Sequence, residues 1–527
     1  MKKISLLFMA VIIAFLVVGC DGNISSSTTT TISTEVTTTT TETTLSSETT
    51  TMASLMTPSS VEVVDNIISF SSVNGAEKYR IKIYDSEDSF VRELNVVNGF
   101  DLSLLLSLGV YSLQIKAIAN NYLDSEYSEK LSFEIINPNQ ISLLEGTDMN
   151  NLEHVRWLGR TYYDSFQEVR NFYFTASGFE IAFYGTELKV TLKASNYTIL
   201  GKQPHLVAFI DGKEDPTEVK LIDEKDDPTK PTLIVLNQAE AEYTIVSGLE
   251  EGYHTVKLLK RSEAIDSNTA VKSISTNGYF AAPPQPKSFA LQFIAASSST
   301  GYGNLGTLSD NKTTGNSDGL RAFAYLTSFL LDSEISIFSA SGWGVSRGWN
   351  TPSGSISETE NIPNAFEYVA IDAQNRVLTE LGKWDITEYI PDVIIVNLGT
   401  NDFNASGYSS MSETEKTALE ERFMVDYHDF LILLNNMYPD AEIIVAYGLM
   451  NEQNKLGDFT LQIISNANET IGSEVVHAFL MEGAGTLGNP YGCNYHPNVQ
   501  TSMNVAEDLA EFISTLTGRA IVREMID

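Results

Sequence analysis

The sequence predicts a multidomain protein in which two β-sandwich domains precede an α/β domain. Between about residues 58 and 285, short runs alternate apolar and polar residues, and a period of two is typical of strands with one buried face. Asn-Gly and Asp-Gly pairs, which favour hairpin turns, separate several of these runs. From about residue 288, short apolar segments alternate with helical ones, and this alternation favours a parallel sheet covered by helices. The 527 residues are long enough for three or four domains of ordinary size.

Residues 1–20 are predicted to be a lipoprotein signal peptide. Lys2 and Lys3 precede an apolar run from residue 4 to residue 18, which is shorter than the ~20 residues of a typical membrane-spanning helix. The run ends in the letters LVVGC, which resemble a bacterial lipobox. That resemblance implies a lipid on Cys20 and a membrane-anchored protein on the outside of a bacterial cell, because two or more acyl chains anchor stably.

Residues 21–57 are predicted to be a disordered tether rich in Ser and Thr. Of the 27 residues from Ser25 to Thr51, 21 are Ser or Thr, so the segment has too little apolar surface to form a packed core. The interpretation is a spacer that lifts the folded domains away from the membrane.

Residues 58–138 are predicted to form a β-sandwich. The alternating runs lie at 61–64, 67–70, 79–84 and 111–117. The last of these, YSLQIKA, resembles a late strand of a fibronectin type III domain. The resemblance implies a spacer or adhesion module, since no residue of this region suggests chemistry.

Residues 145–285 are predicted to form a jelly-roll domain. Residues 181–192 predict two strands around a turn at Gly185, and residues 206–210 and 254–260 predict further strands.

Residues 286–527 are predicted to form the α/β domain, which carries the candidate site. The predicted strands are 289–294, 335–339, 393–397 and 443–446, and the predicted helices are 320–331, 413–437 and 499–516. Active sites of such sheets lie at the carboxyl ends of the strands.

The charge and the cysteine content exclude several classes of function. The chain has 33 Lys and Arg against 68 Asp and Glu, a net charge of −35, whereas nucleic-acid binding needs clustered cations. Nucleic acid is therefore not an expected partner. Six His and two Cys, Cys20 and Cys493, leave little for a metal centre of imidazole and thiolate, so neither a metal nor a cofactor is expected.

Four segments of the α/β domain carry residues suited to acyl transfer. They are 293–303, 338–344, 396–402 and 492–497. A serine just after a buried strand can act as a nucleophile, and a glycine at a strand end lets a backbone N–H approach an oxyanion. An asparagine amide can add a donor, and a histidine fixed by a following helix can act as a general base.

In this order, the four segments resemble the sequence blocks of the SGNH (GDSL-like) hydrolase superfamily. Residues 399–402, GTND, match the third block letter for letter, and His496-Pro497 match the block with the histidine. Residues 157–161, 258–264 and 301–304 resemble carbohydrate esterase family 2. That family joins a jelly roll to a three-layer SGNH hydrolase domain and removes acetyl groups from plant polysaccharides.

The resemblance implies a role for each of four residues. Ser297 would be the nucleophile and His496 the base. The N–H groups of Ser297 and Gly342 and the side-chain amide of Asn401 would form the oxyanion hole. Three consecutive serines leave the register of the nucleophile open, and Ser297 is the one that keeps the family's spacing to GYG at 301–303.

The sequence departs from the superfamily pattern at two places. Ala295-Ala296 stand where the first block usually has Gly-Asp, and Cys493 and Asn494 stand where the triad aspartate usually lies. An amide at Asn494 can orient His496 but brings no charge to the imidazolium. The alternative, known in the family, is a Ser–His dyad whose histidine is oriented by a backbone carbonyl.

Other residues are candidates for a role in binding, catalysis or packing. Tyr302, Trp343 and Trp349 could stack on sugar rings or pack in the core. Cys493 is interpreted as a bystander, Arg160 as an interface residue, and the GNSDG motif at 315–319 as a loop whose Asp318 caps a helix.

The sequence therefore predicts a surface-anchored esterase that removes O-acetyl groups from polysaccharide or oligosaccharide. The alternative from another class is a catalytically weak carbohydrate-binding or adhesion lipoprotein, which the altered first block and Asn494 would favour.

Overall fold

A computed structural model describes most of the chain after the Ser/Thr tract. The described residues are 52–64, 66–135, 141–216, 219–221, 227–352, 355–404, 408–450 and 453–523. The predicted signal peptide, Cys20 and the tether up to Thr51 lie outside them. The prediction that the tether extends to residue 57 is wrong, because Leu55 is buried against Ala117 and its N–H donates to Leu123 O at 2.9 Å. The chain divides into two compact units, Met1–Ile135 and Ile136–Asp527.

The first unit is a β-sandwich of two antiparallel sheets. One sheet contains β1 (Glu62–Val64), β2 (Ile67–Ser69) and β5 (Phe100–Asp101). The other contains β3 (Lys78–Tyr84), β4 (Phe90–Val96), β6 (Gly109–Ile118) and β7 (Leu131–Ile135). Ile68 of the first sheet and Ile81 and Leu113 of the second share one core, so the two sheets pack face to face. The more specific assignment to fibronectin type III stays a prediction.

The second unit begins with a curled, mainly antiparallel sheet of 11 strands, in which β14 and β15 pair in parallel, and this sheet fits the predicted jelly roll. Its strands are β8 (Leu143–Glu145), β9 (Val155–Leu158), β10 (Thr161–Asp164), β11 (Val169–Phe172), β12 (Gly178–Ala194), β13 (His205–Ile210), β14 (Lys220–Leu221), β15 (Thr232–Val235), β16 (Glu240–Lys260), β17 (Thr269–Thr276) and β18 (Tyr279–Ala281). The long strands β12 and β16 pair along nearly their whole length. Phe179, Ile181 and Phe183 alternate inward from β12 into the core of this domain.

The prediction of two strands around a turn at Gly185 is wrong, because residues 178–194 form one continuous strand. Gly185 has a φ of 151° and lies at a register shift against β16, so it forms a bulge rather than a turn. A Cβ at Gly185 would lie 2.7 Å from Asn277 Oδ1. The glycine therefore serves a close approach of Asn277.

The α/β domain is built on a parallel five-stranded sheet with the order β20-β19-β21-β22-β23. The strands are β19 (Ala290–Ala295), β20 (Glu334–Ser339), β21 (Val393–Asn397), β22 (Glu442–Tyr447) and β23 (Val476–Leu480). The helices are α1 (Phe323–Leu330), α2 (Ile362–Phe366), α3 (Thr400–Asn404), α4 (Glu413–Met437), α5 (Gln453–Ile471) and α6 (Val499–Thr517).

Side-chain alternation along the strands separates the two faces of this sheet. Ile294 and Val396 lie in one core with residues of α4 and α5, whereas Phe293 and Ile395 lie in the other with residues of α1 and α6. Helices therefore cover both faces, which gives the predicted three layers.

The long helices begin and end at residues that satisfy their free backbone groups. Ser412 and Glu415 form a capping box at the start of α4. Asn498 caps α6, and Gly518 ends it with a φ of 76°. Because the cap at Asn498 lies two residues after His496, the start of α6 fixes the chain near the candidate base.

The jelly roll and the α/β domain share one apolar core. Leu158, Val207 and Phe209 of the jelly roll pack in the same cluster as Phe323 of α1 and Leu509 of α6.

Arg160 also crosses this boundary, as the sequence suggested. Its Nη1 donates to the carbonyl oxygens of Phe366 at 2.6 Å and Tyr368 at 2.8 Å, and its guanidinium lies over the Phe338 and Phe366 rings. Burial lowers the pKa of Arg160 to about 9. The two domains of this unit are therefore joined through buried contacts.

No helix in the described part of the chain combines the length and the apolar character that crossing a bilayer would require.

Candidate active site

The candidate catalytic residues follow the carboxyl ends of three neighbouring strands. Ala295 of β19 pairs with Ser339 of β20 on one side and with Asn397 of β21 on the other. Ser297 follows the first strand, and Gly342 and Asn401 follow the other two within a few residues. The sheet register therefore brings together three segments that are distant in sequence.

A short hydrogen bond joins Ser297 and His496. Ser297 begins a 3-10 turn after β19, and its Oγ lies 2.8 Å from His496 Nε2. This distance lies within the 2.6–3.2 Å range expected for a nucleophile and its general base. Of the three consecutive serines, Ser299 instead donates to Ala296 O at 3.0 Å.

The backbone carbonyl of Asn494, and not its side chain, orients His496. His496 Nδ1 lies 3.1 Å from Asn494 O. Because a carbonyl oxygen only accepts hydrogen bonds, Nδ1 must carry the proton, and Nε2 is left as the acceptor that faces Ser297. The Asn494 side chain points elsewhere, with Nδ2 3.5 Å from Tyr302 Oη. Asn494 is therefore the residue that orients His496, and of the two possibilities that the sequence left open the geometry supports the backbone carbonyl rather than the side-chain amide.

An unusual backbone conformation places that carbonyl. Asn494 and Tyr495 have φ angles of 50° and 65°, in the left-handed region that few residues other than glycine adopt. Asn tolerates this region better than most residues. The strained pair turns the chain so that residue 494 accepts from residue 496, a feature that the one-letter sequence does not reveal.

Gly342 occupies a tight turn that follows β20. Trp343 N donates to Ala340 O at 3.2 Å and closes a turn of four residues, in which Gly342 is third with a φ of 84°. A positive φ at this position is the feature of a type II turn and favours glycine. The glycine is therefore required by the turn as well as by the space that an oxyanion needs.

Asn401 lies buried beside this turn. Its Nδ2 donates to Trp343 O at 2.8 Å. A primary amide has two N–H groups, so this bond fixes the side chain and leaves a second donor. The role of Ser297, Gly342 and Asn401 as an oxyanion hole stays a prediction.

Asp402 holds the loop that follows Gly342, and the sequence analysis did not assign it a role. Its carboxylate accepts from the N–H groups of Val345 at 3.0 Å, Ser346 at 2.8 Å and Arg347 at 3.0 Å. Burial raises the pKa of Asp402 to about 6, although these bonds act in the opposite direction. The one feature of the sequence that could have indicated a role for Asp402 is its position in the GTND motif.

Burial also affects the candidate base. It lowers the pKa of His496 below the usual 6.5, although hydrogen bonding at Asn494 and Cys493 and the charge of Glu263 act to raise it. The Tyr302 ring stacks on the imidazole, with centroids 4.1 Å apart. His496 is therefore a neutral base at neutral pH, held between a backbone carbonyl and an aromatic ring.

The three predicted sugar-stacking residues have different environments. Trp343 is only 1% exposed and its Nε1 donates to Asn375 Oδ1 at 2.7 Å, so the prediction that it lines the substrate site is wrong. Its apolar ring packs in the core under the turn. Tyr302 is half-buried against His496. Trp349 is 46% exposed, and its backbone N–H donates to Gly342 O at 2.7 Å. Trp349 is thus the member best placed to meet a ligand.

Cys493 is a packing residue, in agreement with its interpretation as a bystander. It is fully buried, and burial raises the pKa of its thiol. A Cβ at Gly303 would lie 2.3 Å from Cys493 Cβ, and one at Gly306 would lie 2.5 Å from Cys493 Sγ. Two glycines therefore admit this side chain, and the close fit seats the loop that carries His496.

The GNSDG motif is structural. Ser317 Oγ accepts from Gly303 N at 2.9 Å and donates to Thr313 O at 2.7 Å. Asp318 caps the 3-10 turn that leads into α1, as the sequence indicated. His477 of β23 has its Nε2 2.7 Å from Glu442 Oε2. Across the part of the chain that the structure describes, no three His, Cys, Asp or Glu residues group as metal ligands.

Comparison with known proteins places this arrangement in a family context. No protein-family profile matches the chain. It is 26% identical over 349 residues to the cellulase/esterase CelE of Acetivibrio thermocellus, a match that covers 65% of this chain and 37% of that protein.

Two solved structures resemble it closely in fold. A family two carbohydrate esterase from Clostridium thermocellum in complex with cellohexaose has a TM-score of 0.57 at 24% identity, over 69% of this chain and 100% of that one. An acetyl xylan esterase from the rumen bacterium Butyrivibrio proteoclasticus has a TM-score of 0.59 at 23% identity, over 72% of this chain and 99% of that one.

The chain has the fold of carbohydrate esterase family 2. A match to 69% of the chain is longer than the first unit, so it has to lie mainly in the second, where the jelly roll and the α/β domain are. The chain spans little more than a third of the length of the curated relative. The likeness to family 2 structures therefore concerns mainly the second unit.

Proposed function

We propose that this chain is a serine esterase that removes O-acetyl groups from a carbohydrate. The observation that carries the proposal is the 2.8 Å contact between Ser297 Oγ and His496 Nε2, at the carboxyl edge of the family 2 fold. The names of similar proteins support the substrate class, since one is an acetyl xylan esterase and another was solved with cellohexaose.

The geometry supports a mechanism in two halves. His496 Nε2 takes the proton of Ser297 as its Oγ attacks the acetyl carbonyl carbon, and the carbonyl oxygen becomes an oxyanion. The N–H groups of Ser297 and Gly342 and the free amide hydrogen of Asn401 stabilise that charge. The C–O bond to the sugar then breaks, and His496 returns the proton to the sugar oxygen.

Water completes the cycle by the same steps. It gives a proton to His496 and attacks the acetyl-Ser297 carbonyl. Acetate leaves and the proton returns to Ser297 Oγ. The Asn494 carbonyl keeps the His496 ring in the same tautomer and orientation through both halves.

Trp349 is proposed as the platform for the sugar. The residue is 46% exposed, and its backbone N–H donates to Gly342 O, which ties Trp349 to the turn that carries a proposed oxyanion donor. Sugars stack on aromatic faces through their C–H groups, and an indole side chain has only two torsions to lose on binding.

Surface anchoring is proposed from the sequence alone. A lipid on Cys20 and the Ser/Thr tether would hold the folded units outside a bacterial membrane, within reach of acetylated polysaccharide. The net charge of −35 supports the further expectation that nucleic acid is not a partner.

Acetate release from acetylated xylan and hydrolysis of 4-nitrophenyl acetate test the proposal. We expect Ser297→Ala and His496→Ala to lower kcat by at least about 10³-fold, since each removes a member of the reacting pair. Ser298→Ala is the matched control, because it shortens the neighbouring serine, and it should keep kcat within about threefold. Equal rates in the wild type and Ser297→Ala would refute the proposal, and turnover of the aryl acetate without acetate release from xylan would refute its carbohydrate part.

A further inference from the structure

A buried charge cluster of the jelly roll lies directly behind the oxyanion turn. Glu263 and Asp266, which follow β16, are 2% and 5% exposed, and both pair with Lys312 of the α/β domain. Lys260, fully buried at the end of β16, donates to the carbonyl oxygens of Ser262 and Glu263 at 2.8 Å each. Charged groups are costly to bury, so a cluster of this kind calls for an explanation.

Glu263 connects this cluster to the turn that carries Gly342. Glu263 Oε2 accepts the N–H of Ser341 at 3.2 Å, and Oε1 lies 3.0 Å from Lys312 Nζ. Ser341 directly precedes Gly342 in the turn closed by Trp343 N. The carboxylate therefore anchors the Ala340–Ser341 peptide, which directly precedes the peptide that carries the Gly342 N–H.

Lys312 connects the same cluster to the candidate base. Its Nζ lies 5.4 Å from the centroid of the Tyr302 ring, which stacks on His496. A cation this close to an aromatic centroid interacts favourably with the ring. One ion pair thus contacts both the oxyanion turn and the aromatic support of His496.

The charge balance of the pair suits its position. An unpaired carboxylate next to a developing oxyanion would raise the energy of the transition state by repulsion. Burial alone would raise the pKa of Glu263, but Lys312 and the bonds to Ser341 hold it below its usual value. Burial acts to lower the pKa of Lys312, and the two carboxylates raise it further than burial lowers it. The ammonium therefore offsets the carboxylate while leaving it available to Ser341.

We propose that Glu263 of the jelly roll is a positioning residue for catalysis, which fixes the oxyanion turn through Ser341 while Lys312 balances its charge. This inference rests on the proposed esterase function and adds that the jelly roll supplies part of the site. The carboxylate does not touch the substrate, so its effect should appear in kcat and not in KM.

Three variants of the full chain test the inference. Glu263→Ala removes the acceptor for Ser341, and we expect kcat to fall by about 10- to 100-fold with KM within about twofold, since loss of a whole oxyanion donor costs about 10²- to 10³-fold. Glu263→Gln keeps a carbonyl oxygen in the same place and should recover most of the loss. Glu180→Ala is the matched control, because Glu180 is 8% exposed in the same jelly roll and pairs with Arg156. The other partner of Arg156, Glu334, begins β20, at the end of the strand away from the Gly342 turn.

A second measurement separates this inference from the proposed function. A fluorophosphonate labels an activated serine, and its phosphonyl oxygen requires the oxyanion donors, so the labelling rate of Ser297 by mass spectrometry reports on the turn without any acetylated substrate. We expect slow labelling in Glu263→Ala and wild-type rates in Glu180→Ala, with all variants shown to be folded by circular dichroism. Wild-type turnover and labelling in Glu263→Ala would overturn the inference alone. If turnover and labelling fall in both Glu263→Ala and Glu180→Ala in proportion to the unfolded fraction, Glu263 has only a structural role and the inference is also overturned. A wild type that neither turns over substrate nor labels would overturn both proposals.

Discussion

At the scale of single residues, the orientation of His496 by a backbone carbonyl predicts the effect of restoring an acid. Asn494→Asp should leave kcat within about threefold of the wild type, because the side chain faces Tyr302 and His496 Nδ1 is already bonded to residue 494 O. Steady-state kinetics on an aryl acetate measure it. A gain of tenfold or more would show that the side chain reaches Nδ1.

Asn494→Ala serves as the control for backbone strain. It keeps the carbonyl but places alanine at a φ of 50°, which costs about 1 kcal/mol of unfolding free energy. We expect a lower denaturant midpoint and nearly unchanged kcat below it.

The lowered pKa of His496 predicts the pH dependence of activity. The base must be neutral, so activity is present above the pKa of His496 and is lost as the pH falls through it. Since burial lowers that pKa, the acid limb of kcat/KM should have its midpoint below 6.5.

Asp402 is the competing source of an acid limb, because its pKa is raised to about 6 and it holds the loop after Gly342. Asp402→Asn removes this titration while keeping a side-chain oxygen that can accept hydrogen bonds. We expect the acid limb to persist in the variant; its disappearance would assign the limb to Asp402.

The sequence predicted these residues unequally. Ser297, Gly342, Asn401 and His496 stand in recognisable blocks at strand ends, so their identity and grouping could be predicted. The left-handed backbone at Asn494 and the burial of Trp343 could not, because the first depends on the path of a loop and the second on which side of the turn an indole packs. Glu263 lies 78 residues before Ser341, and no local pattern links the two.

At the scale of elements, the fit between Cys493 and the glycine-rich segment after the nucleophile predicts a sensitive position. Gly303→Ala would place a Cβ 2.3 Å from Cys493 Cβ at a φ of 59°. We expect a loss of about 2 to 4 kcal/mol of unfolding free energy and a clear drop in kcat, since the displaced loop carries His496. Denaturant titration and kinetics below the transition measure the two effects.

Gly472→Ala provides the matched control. Gly472 has a φ of 84°, but a Cβ there would meet nothing within 4 Å. The Gly472→Ala protein should lose only about 1 to 2 kcal/mol of unfolding free energy and should keep its kcat. An unchanged kcat in Gly303→Ala as well would mean that this contact does not position His496.

The elements themselves were predicted well where periodicity was strong. Residues 393–397 and 413–437 were predicted with the bounds that β21 and α4 have. The prediction failed at Gly185, because a glycine at a bulge and a glycine at a turn have the same signature in sequence. Helix α5 was not identified; polar residues at many of its positions obscure its apolar stripe.

At the scale of the whole molecule, the shared core predicts where the chain can be divided. A protein of residues 141–527 should fold and keep wild-type kcat and KM, because the first unit has a core of its own. A protein of residues 286–527 should aggregate, because it would expose the surface that Val207, Phe209 and Leu259 cover. Gel filtration, circular dichroism and aryl acetate kinetics of both proteins test this, and a monomeric, active 286–527 would contradict it.

The sequence predicted a jelly roll and an α/β domain as successive regions, without the extent of their contact. Periodicity indicates that Phe209 and Leu259 are buried, since both belong to alternating strands, but not which layer they face. The polar contacts of Arg160 could not be predicted from the sequence either. Its partners at Phe366 and Tyr368 are backbone oxygens, which every residue has.

The carbonyl that orients His496 belongs to the main chain, and every amino acid at position 494 brings one. A scan of substitutions would therefore detect the nucleophile and the base but would not detect the backbone carbonyl that aligns them. Weakening that group selectively needs a change of backbone chemistry, such as an α-hydroxy acid in place of Tyr495, which turns the amide into an ester and makes the residue 494 oxygen a poorer acceptor. The third member of this catalytic set thus depends on the conformation of the loop and not on which side chain stands at position 494.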